Sequence, residues 1–183
     1  QAGVQLNHRV RKFISGDNVF TFGGEFVVDD VFDEITAYRY LIEQRTENLG
    51  VFVQSDWEIT PSLNLLSGLR FDTHNFLDVP VLSPRISLLY KHRRETQFRL
   101  TYSTGFRAPQ AFDADLHISF AGGGISRVSL APDLQEERSR SLSGSINYDR
   151  PTEQMIFGFT VEGFYTFLEG AFYQEAIGED EFG

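Results

Sequence analysis

Several features that would indicate common protein classes are missing from this sequence. Cysteine is absent from all 183 residues, which excludes a disulfide framework, a thiolate metal site and a cysteine nucleophile. No stretch approaches about 18 consecutive apolar residues, so no membrane-spanning helix is expected. Basic residues number 16 against 26 acidic ones, and the formal charge is −10. Nucleic acid is therefore not an expected partner, because its binding requires a basic surface.

The first residues also lack the marks of a natural start. Residues 1–6 read Gln-Ala-Gly-Val-Gln-Leu, with no initiator methionine and no apolar segment of the kind that a signal peptide needs. We expect these residues to lie inside a strand. We also expect the chain to be a part of a larger protein.

What the sequence has in abundance is aromatic and apolar residues at every second position. Phe98, Leu100 and Tyr102 alternate with Arg99 and Thr101, and a period of two is the signature of a β-strand with one apolar face. Similar alternation, less clean in the first two cases, predicts eight strands and no helix. The predicted strands cover residues 4–13, 19–28, 51–59, 63–72, 85–91, 98–107, 141–149 and 156–168.

The links between these segments alternate in length. Short links, rich in turn formers or charge, occupy residues 15–18, 60–62, 92–96 and 149–154. Long links are expected at 29–48, 73–84 and 108–139. Short and long links in alternation predict an antiparallel up-and-down meander with tight turns at one end and long loops at the other. Transmembrane β-barrels have this asymmetry.

Aromatic residues mark both ends of the apolar stripes. Trp57, Tyr90 and Phe98 lie near short turns, whereas Phe71 and Phe106 lie near the other strand ends. Such rings suit the headgroup layers of a membrane. The eight residues from Phe98 to Phe106 cover about 26 Å, or roughly 20 Å at a tilt of about 40°, close to the ~25 Å apolar band of outer-membrane barrels. The alternative is a soluble β-sandwich with the same residues on its inner faces.

One segment carries a family resemblance. Residues 105–110, Gly-Phe-Arg-Ala-Pro-Gln, resemble the Gly-Phe-Arg-Ala-Pro segment of TonB-dependent outer-membrane receptors. Four further segments resemble barrel motifs of that family in family order: 49–54, 68–72, 83–85 and 130–137. The last departs from the family's Asn-Pro-x-Leu-x-Pro-Glu box, with Ala131 in place of Asn and Glu136 where Pro is common.

The resemblance implies a fold and a location. The fold is an all-β antiparallel up-and-down meander of about eight strands, part of a large transmembrane β-barrel in the bacterial outer membrane. In the family this barrel has about 22 strands and a plugged lumen. Residues 1–183 would then form a partial barrel without the plug domain. A rival is a small outer-membrane barrel closed by these eight strands alone.

The resemblance also implies partners. The cargo would be a scarce small-molecule nutrient chelate: iron–siderophore, haem or a cobalamin-like compound. Outer-membrane lipid would surround the barrel. The receptor's own plug domain, and TonB through the N-terminal part that this chain lacks, would complete the set of partners.

Catalysis and metal binding are not predicted. The sequence contains neither His-Glu-x-x-His nor Gly-x-Ser-x-Gly, two motifs that mark common hydrolytic sites. The four histidines, His8, His74, His92 and His117, are scattered without metal-ligand spacing. We therefore expect a receptor rather than an enzyme, with no resident cofactor and no metal.

Ligand binding is expected in the long link that follows the Phe-Arg-Ala-Pro segment. The candidates are Phe112 for stacking, Asp113 and Asp115 as hydrogen-bond acceptors, and His117, which lies where haem receptors resembling this family place an iron-ligating histidine. Arg107 is the fifth candidate. Solvated loop residues would show the same pattern.

Three arginines are expected on the lumen side of the strands. Arg70, Arg99 and Arg107 fall opposite the apolar stripes. We expect them to pair with Asp56, Glu58 or Asp72 on other strands, or with carboxylates of the plug, rather than to contact the ligand.

Overall fold

A computed structural model describes residues 1–36, 39–93, 95–110, 120–121, 124–125, 131, 133–173, 175 and 178. This part of the chain is built from β-strands. Among the described residues no helix has the length and apolar character needed to cross a membrane.

Eight strands form one sheet, in which each strand pairs with its neighbour in sequence. All pairs are antiparallel, so the predicted meander is confirmed. In their order across the sheet, the strands are β1 (Ala2–Val10), β2 (Asp17–Ile35), β3 (Tyr40–Thr60), β4 (Leu63–His74), β5 (Val81–His92), β6 (Thr96–Arg107), β9 (Glu137–Pro151) and β10 (Ile156–Glu169). Two short strands, β7 (Phe120–Ala121) and β8 (Gly124–Ile125), pair with each other between β6 and β9.

The expected long link at 29–48 is wrong. Strands β2 and β3 stay paired from Asp17–Glu58 to Ile35–Tyr40, so the link is mostly strand. The apolar alternation ends there because charged residues such as Asp30 occupy positions that are apolar in the earlier part of the strand. Backbone hydrogen bonds do not require apolar side chains, so the antiparallel ladder continues beyond the apolar band.

The burial of the two faces of the sheet is the reverse of that in a soluble protein, because apolar side chains are exposed and a charged side chain is buried. One row across β2, β3 and β4 consists of Phe22, Val53 and Leu69, which are 46%, 40% and 42% exposed. On the other face, Asp72 is only 1% exposed. A sheet that curls around its polar face and turns its apolar face outward produces this inversion. A broad apolar surface of this kind is rare on soluble monomers and marks a membrane or protein contact.

The short-turn end carries an aromatic cluster. Phe13 makes edge contacts with Phe20 and Trp57, with ring centroids 5.4 Å and 5.6 Å apart. The indole Nε1 of Trp57 donates to the carbonyl of Ser15 at 2.6 Å. Gly16 is required in this turn: its φ is +70°, and a Cβ there would lie 1.8 Å from a carbonyl oxygen. The predicted aromatic belt at this end therefore has a defined packing.

Both alternative folds disagree with this architecture. Within the described residues β1 and β10 each pair on one side only, so the eight strands do not close on themselves. In the same part of the chain the only other sheet is the four-residue pair of β7 and β8. It is too small to cover the apolar face as the second layer of a sandwich would.

Candidate ligand-binding site

The polar face of β5, β6 and β9 is lined by short hydroxyl side chains. Thr101 on β6 faces Ser87 on β5 and Ser143 on β9 in the register, and its hydroxyl lies 2.7 Å from that of Ser87. Farther along, Ser141 bonds Thr166 on β10 at 2.8 Å. These groups can donate and accept hydrogen bonds. This section of the polar face is therefore hydrophilic, and its short side chains leave space for water or a polar solute.

A charged network crosses β2, β3 and β4 on the same face. The Nε atom of Arg70 donates to both carboxylate oxygens of Asp72 at 2.9 Å. Its Nη1 reaches Glu25 at 3.3 Å, and the amide of Asn48 donates to Asp72 at 3.2 Å. The sequence analysis predicted that the carboxylate partners of Arg70 would lie on other strands. Asp72 instead lies two residues away on the same strand, β4, where the two side chains share a face. Glu25 and Asn48 were missed, because the register between strands brings them in.

Gly50 provides the floor of this network. A Cβ at this position would lie 2.2 Å from Nη2 of Arg70 and 2.6 Å from Oδ1 of Asp72, so the ion pair occupies the space that any side chain would fill. Asp72 is nearly inaccessible to solvent. A buried carboxylate needs a paired cation and hydrogen bonds to offset its lost hydration. The network therefore fixes the wall rather than offering Arg70 to a ligand.

Arg107 ends β6 at the long-loop end of the sheet. It faces Glu137, the first residue of β9, and its Nη2 donates to the Glu137 carboxylate at 3.1 Å. Its guanidinium also lies 4.9 Å from the ring centre of Phe172. The predicted partners of Arg107 were Asp56, Glu58, Asp72 or a carboxylate of the plug, whereas the partner in the structure is Glu137. Arg99 lies exposed on the polar face.

The other four candidate residues, Phe112, Asp113, Asp115 and His117, lie outside the described residues. The ends of their loop are nevertheless defined, because Arg107 and Glu137 are paired in the register. Loop 108–136 thus leaves and re-enters the sheet at one point on the rim. Its candidate ligand contacts stay predictions.

The projecting part of the β2–β3 hairpin, residues 27–48, is acidic, with six acidic and two basic side chains. One of the basic residues, Arg45, binds Glu47 at 2.7 Å and lies 3.6 Å from Asp30. The hydrogen bond to Glu47 and the charge of Asp30 raise the pKa of Arg45. Asn75, in the link between β4 and β5, donates to the carbonyl of Arg45 at 2.8 Å. Beyond the apolar band, the long-loop end of the sheet therefore holds charged side chains that are ion-paired and hydrogen-bonded to one another.

A sequence model of the family described as TonB dependent receptor-like, beta-barrel, matches residues 1–180. The chain belongs to this family. A search of curated protein sequences finds no match.

Several solved siderophore receptors share this fold. A mutant of the ferric enterobactin receptor PfeA from Pseudomonas aeruginosa, in complex with enterobactin, aligns over 86% of this chain with a TM-score of 0.67 and 17% identity. The siderophore receptor PirA from Pseudomonas aeruginosa aligns over 90% with a TM-score of 0.63 and 16% identity. PirA from Acinetobacter baumannii aligns over 91% with a TM-score of 0.62 and 14% identity.

This chain spans only 25%, 30% and 33% of those three structures. It therefore corresponds to a section of such a barrel. Receptors of this family are transport proteins of the outer membrane and not enzymes, so the prediction that the chain is not an enzyme is confirmed.

Proposed function

We propose that residues 1–183 form about a third of the barrel wall of a TonB-dependent receptor that binds a ferric siderophore and imports it across the bacterial outer membrane. The missing parts of the wall, a plug domain in the lumen and TonB on the periplasmic side would be supplied by the rest of the receptor and by its partner. The observation that carries the proposal is the family match along nearly the whole chain, together with siderophore receptors among its structural neighbours.

The arrangement of the two faces supports passage through a membrane. The outward row of Phe22, Val53 and Leu69 is apolar, while hydroxyl side chains and paired charges line the opposite face. A strand that alternates apolar outward and polar inward suits a barrel with lipid outside and water inside. A polar solute can then pass along the inner face without contact with lipid.

We infer that capture takes place at the long-loop end. Loop 108–136 leaves the sheet there, and it carries the acceptors Asp113 and Asp115, the aromatic Phe112 and His117. Carboxylates can accept hydrogen bonds from donors on a chelate, and an aromatic ring can stack on a flat ligand. Arg107 holds the base of this loop through Glu137. Release into the periplasm would follow movement of the plug.

The proposal is tested with the intact receptor in cells that have no other siderophore receptor. We expect uptake of iron-55 presented as a ferric tris-catecholate, and we expect this uptake to stop when TonB is deleted. If N–H groups of the siderophore donate to these carboxylates, Asp113→Asn combined with Asp115→Asn should weaken binding by tenfold or more, because each lost charged acceptor is worth roughly 1.5–3 kcal/mol.

A matched control is Glu153→Gln, which neutralises an exposed carboxylate in the short turn between β9 and β10 and should leave binding unchanged. Uptake that persists without TonB would contradict the assignment to this family's mechanism. Uptake of haem or of a cobalamin, with no uptake of any ferric siderophore offered, would replace the proposed cargo.

A further inference from the structure

Three separate segments of the chain meet at Arg107. It is the last residue of β6, Glu137 is the first residue of β9, and Phe172 lies three residues after the end of β10. Arg107 donates to Glu137 at 3.1 Å. The same carboxylate oxygen of Glu137 accepts the backbone N–H of Phe172 at 3.2 Å. One arginine and one glutamate therefore join the base of loop 108–136 to the segment that follows β10.

The backbone after β10 is shaped for this contact. Gly170 has a φ of +66°, a conformation that residues with a side chain rarely adopt. A Cβ on Gly170 would lie 3.4 Å from the carbonyl oxygen of Glu136. The chain thus turns sharply against the start of β9 and brings Phe172 over the guanidinium of Arg107, 4.9 Å from the ring centre.

The chemistry of the contact requires arginine. A planar guanidinium can stack on an aromatic ring while its edge donates to a carboxylate, which a lysine ammonium does less well. The side chain of Glu137 is only 14% exposed. Without Arg107 this carboxylate would keep a charge in a poorly hydrated place, held by one backbone N–H.

We propose that Arg107 is a positioning residue at the mouth of the receptor: it couples the end of β6, where loop 108–136 begins, to residues 170–173 after β10. Its Nη2 donates to Glu137, and Phe172 covers one face of the guanidinium, so its function is to hold these two segments in a fixed relation. A ligand that displaces one of the two segments therefore displaces the other. The assignment of the ligand to this end rests on the proposed function; the coupling itself does not.

Residues 1–183 contain no cysteine, so this section of the receptor has no competing label site, and any cysteine elsewhere in the receptor is first replaced by serine. Cysteines are introduced at Gln110 and Tyr173, both exposed, and are spin-labelled in the intact receptor in lipid vesicles without ligand. We expect one narrow distance distribution between the labels. Arg107→Gln and Phe172→Leu should each broaden it, and Arg107→Lys should restore it only in part. Phe172→Leu lies outside the sheet and should leave folding intact.

Arg140→Gln is the matched control. It removes another rim ion pair, that of Arg140 with Glu169 at 3.0 Å, and should leave the label distribution narrow. An unchanged distribution in both Arg107→Gln and Phe172→Leu would overturn the proposal. So would equal broadening by Arg140→Gln, because the effect would then be general to the rim.

Binding of ferric enterobactin separates positioning from direct contact. A positioning role predicts that Arg107→Gln and Phe172→Leu weaken binding alike, by about tenfold, together with the broadened distances. Weaker binding in Arg107→Gln alone, with a narrow distribution, would instead identify a ligand contact and overturn the proposal. If neither ferric enterobactin nor any other ferric siderophore offered binds to any form of the receptor, the proposed cargo fails, while the distance measurement without ligand still decides the coupling.

Discussion

The orientation of the sheet in the membrane can be tested at two adjacent residues of β3. Val53 lies on the apolar face in the row with Phe22 and Leu69, and Gln54 lies on the polar face beside Gly68. Arginine is placed at each position in turn. We expect Val53→Arg to destabilise the receptor strongly and Gln54→Arg to change its stability little.

The magnitude follows from the depth of Val53. It lies four residues from Trp57 and four from Leu49, about 13 Å along the strand in each direction at ~3.3 Å per residue. At a tilt of about 40° this places it roughly 10 Å from each edge of the apolar band. Arginine facing lipid at the midplane costs about 2–4 kcal/mol, and about 0–1 kcal/mol near an interface. Val53→Arg should thus cost several times more than Leu49→Arg.

Gln54→Arg has room on the polar face. Its neighbour across the sheet, Gly68, has no side chain, and a Cβ on Gly68 would meet no atom closer than 3.6 Å. The assay is urea unfolding of the intact receptor in lipid vesicles, followed by the loss of its folded band in a gel without heating. The reasoning is refuted if Gln54→Arg is as damaging as Val53→Arg, or if Leu49→Arg is as damaging as the midplane variant.

Two further predictions concern the wall and the loop. Gly50→Ala should lower the free energy of unfolding by about 1–3 kcal/mol in the same assay, because the new Cβ displaces the ion pair of Arg70 with Asp72. The control is Gly68→Ala, whose Cβ makes only ordinary contacts and should leave stability nearly unchanged. Equal losses of stability in the two variants would refute this account. His117→Ala should leave the absorption spectrum of the haem-titrated receptor the same as that of the wild type, because we propose a siderophore as cargo; a Soret shift in the wild type that the variant loses would assign haem instead.

The strands were predictable because each one carries its own signal. Alternation such as Phe98 and Leu100 against Arg99 and Thr101 is local, and the structure confirms the strand and its two faces. The projecting hairpin was not predictable in this way. Beyond Phe26 and Leu49 the strands leave the apolar band, so the alternation that reveals a strand disappears while the backbone pairing continues.

In the candidate site, too, contacts between residues close in sequence were easier to predict than contacts between distant residues. Arg70 and Asp72 are two residues apart on one strand and share a face, so their pairing is local, although partners on other strands had been predicted. Arg107 and Glu137 are 30 residues apart, and only the pairing of β6 with β9 makes them neighbours. Phe172 carried no signal in the sequence, because its contact depends on the turn at Gly170.

By itself the sequence determined the number of main strands and which face of each strand is apolar, because these properties depend on residues close together in the chain. The alternating lengths of the links indicated the meander, and the family motifs indicated the class of fold. The tertiary structure alone decided the register between strands, the paths of the chain at the rim, and therefore the pairing of Arg70 with Glu25 and of Arg107 with Glu137. Register is a relation between distant segments, set by many weak backbone and side-chain contacts at once, and no single segment contains it.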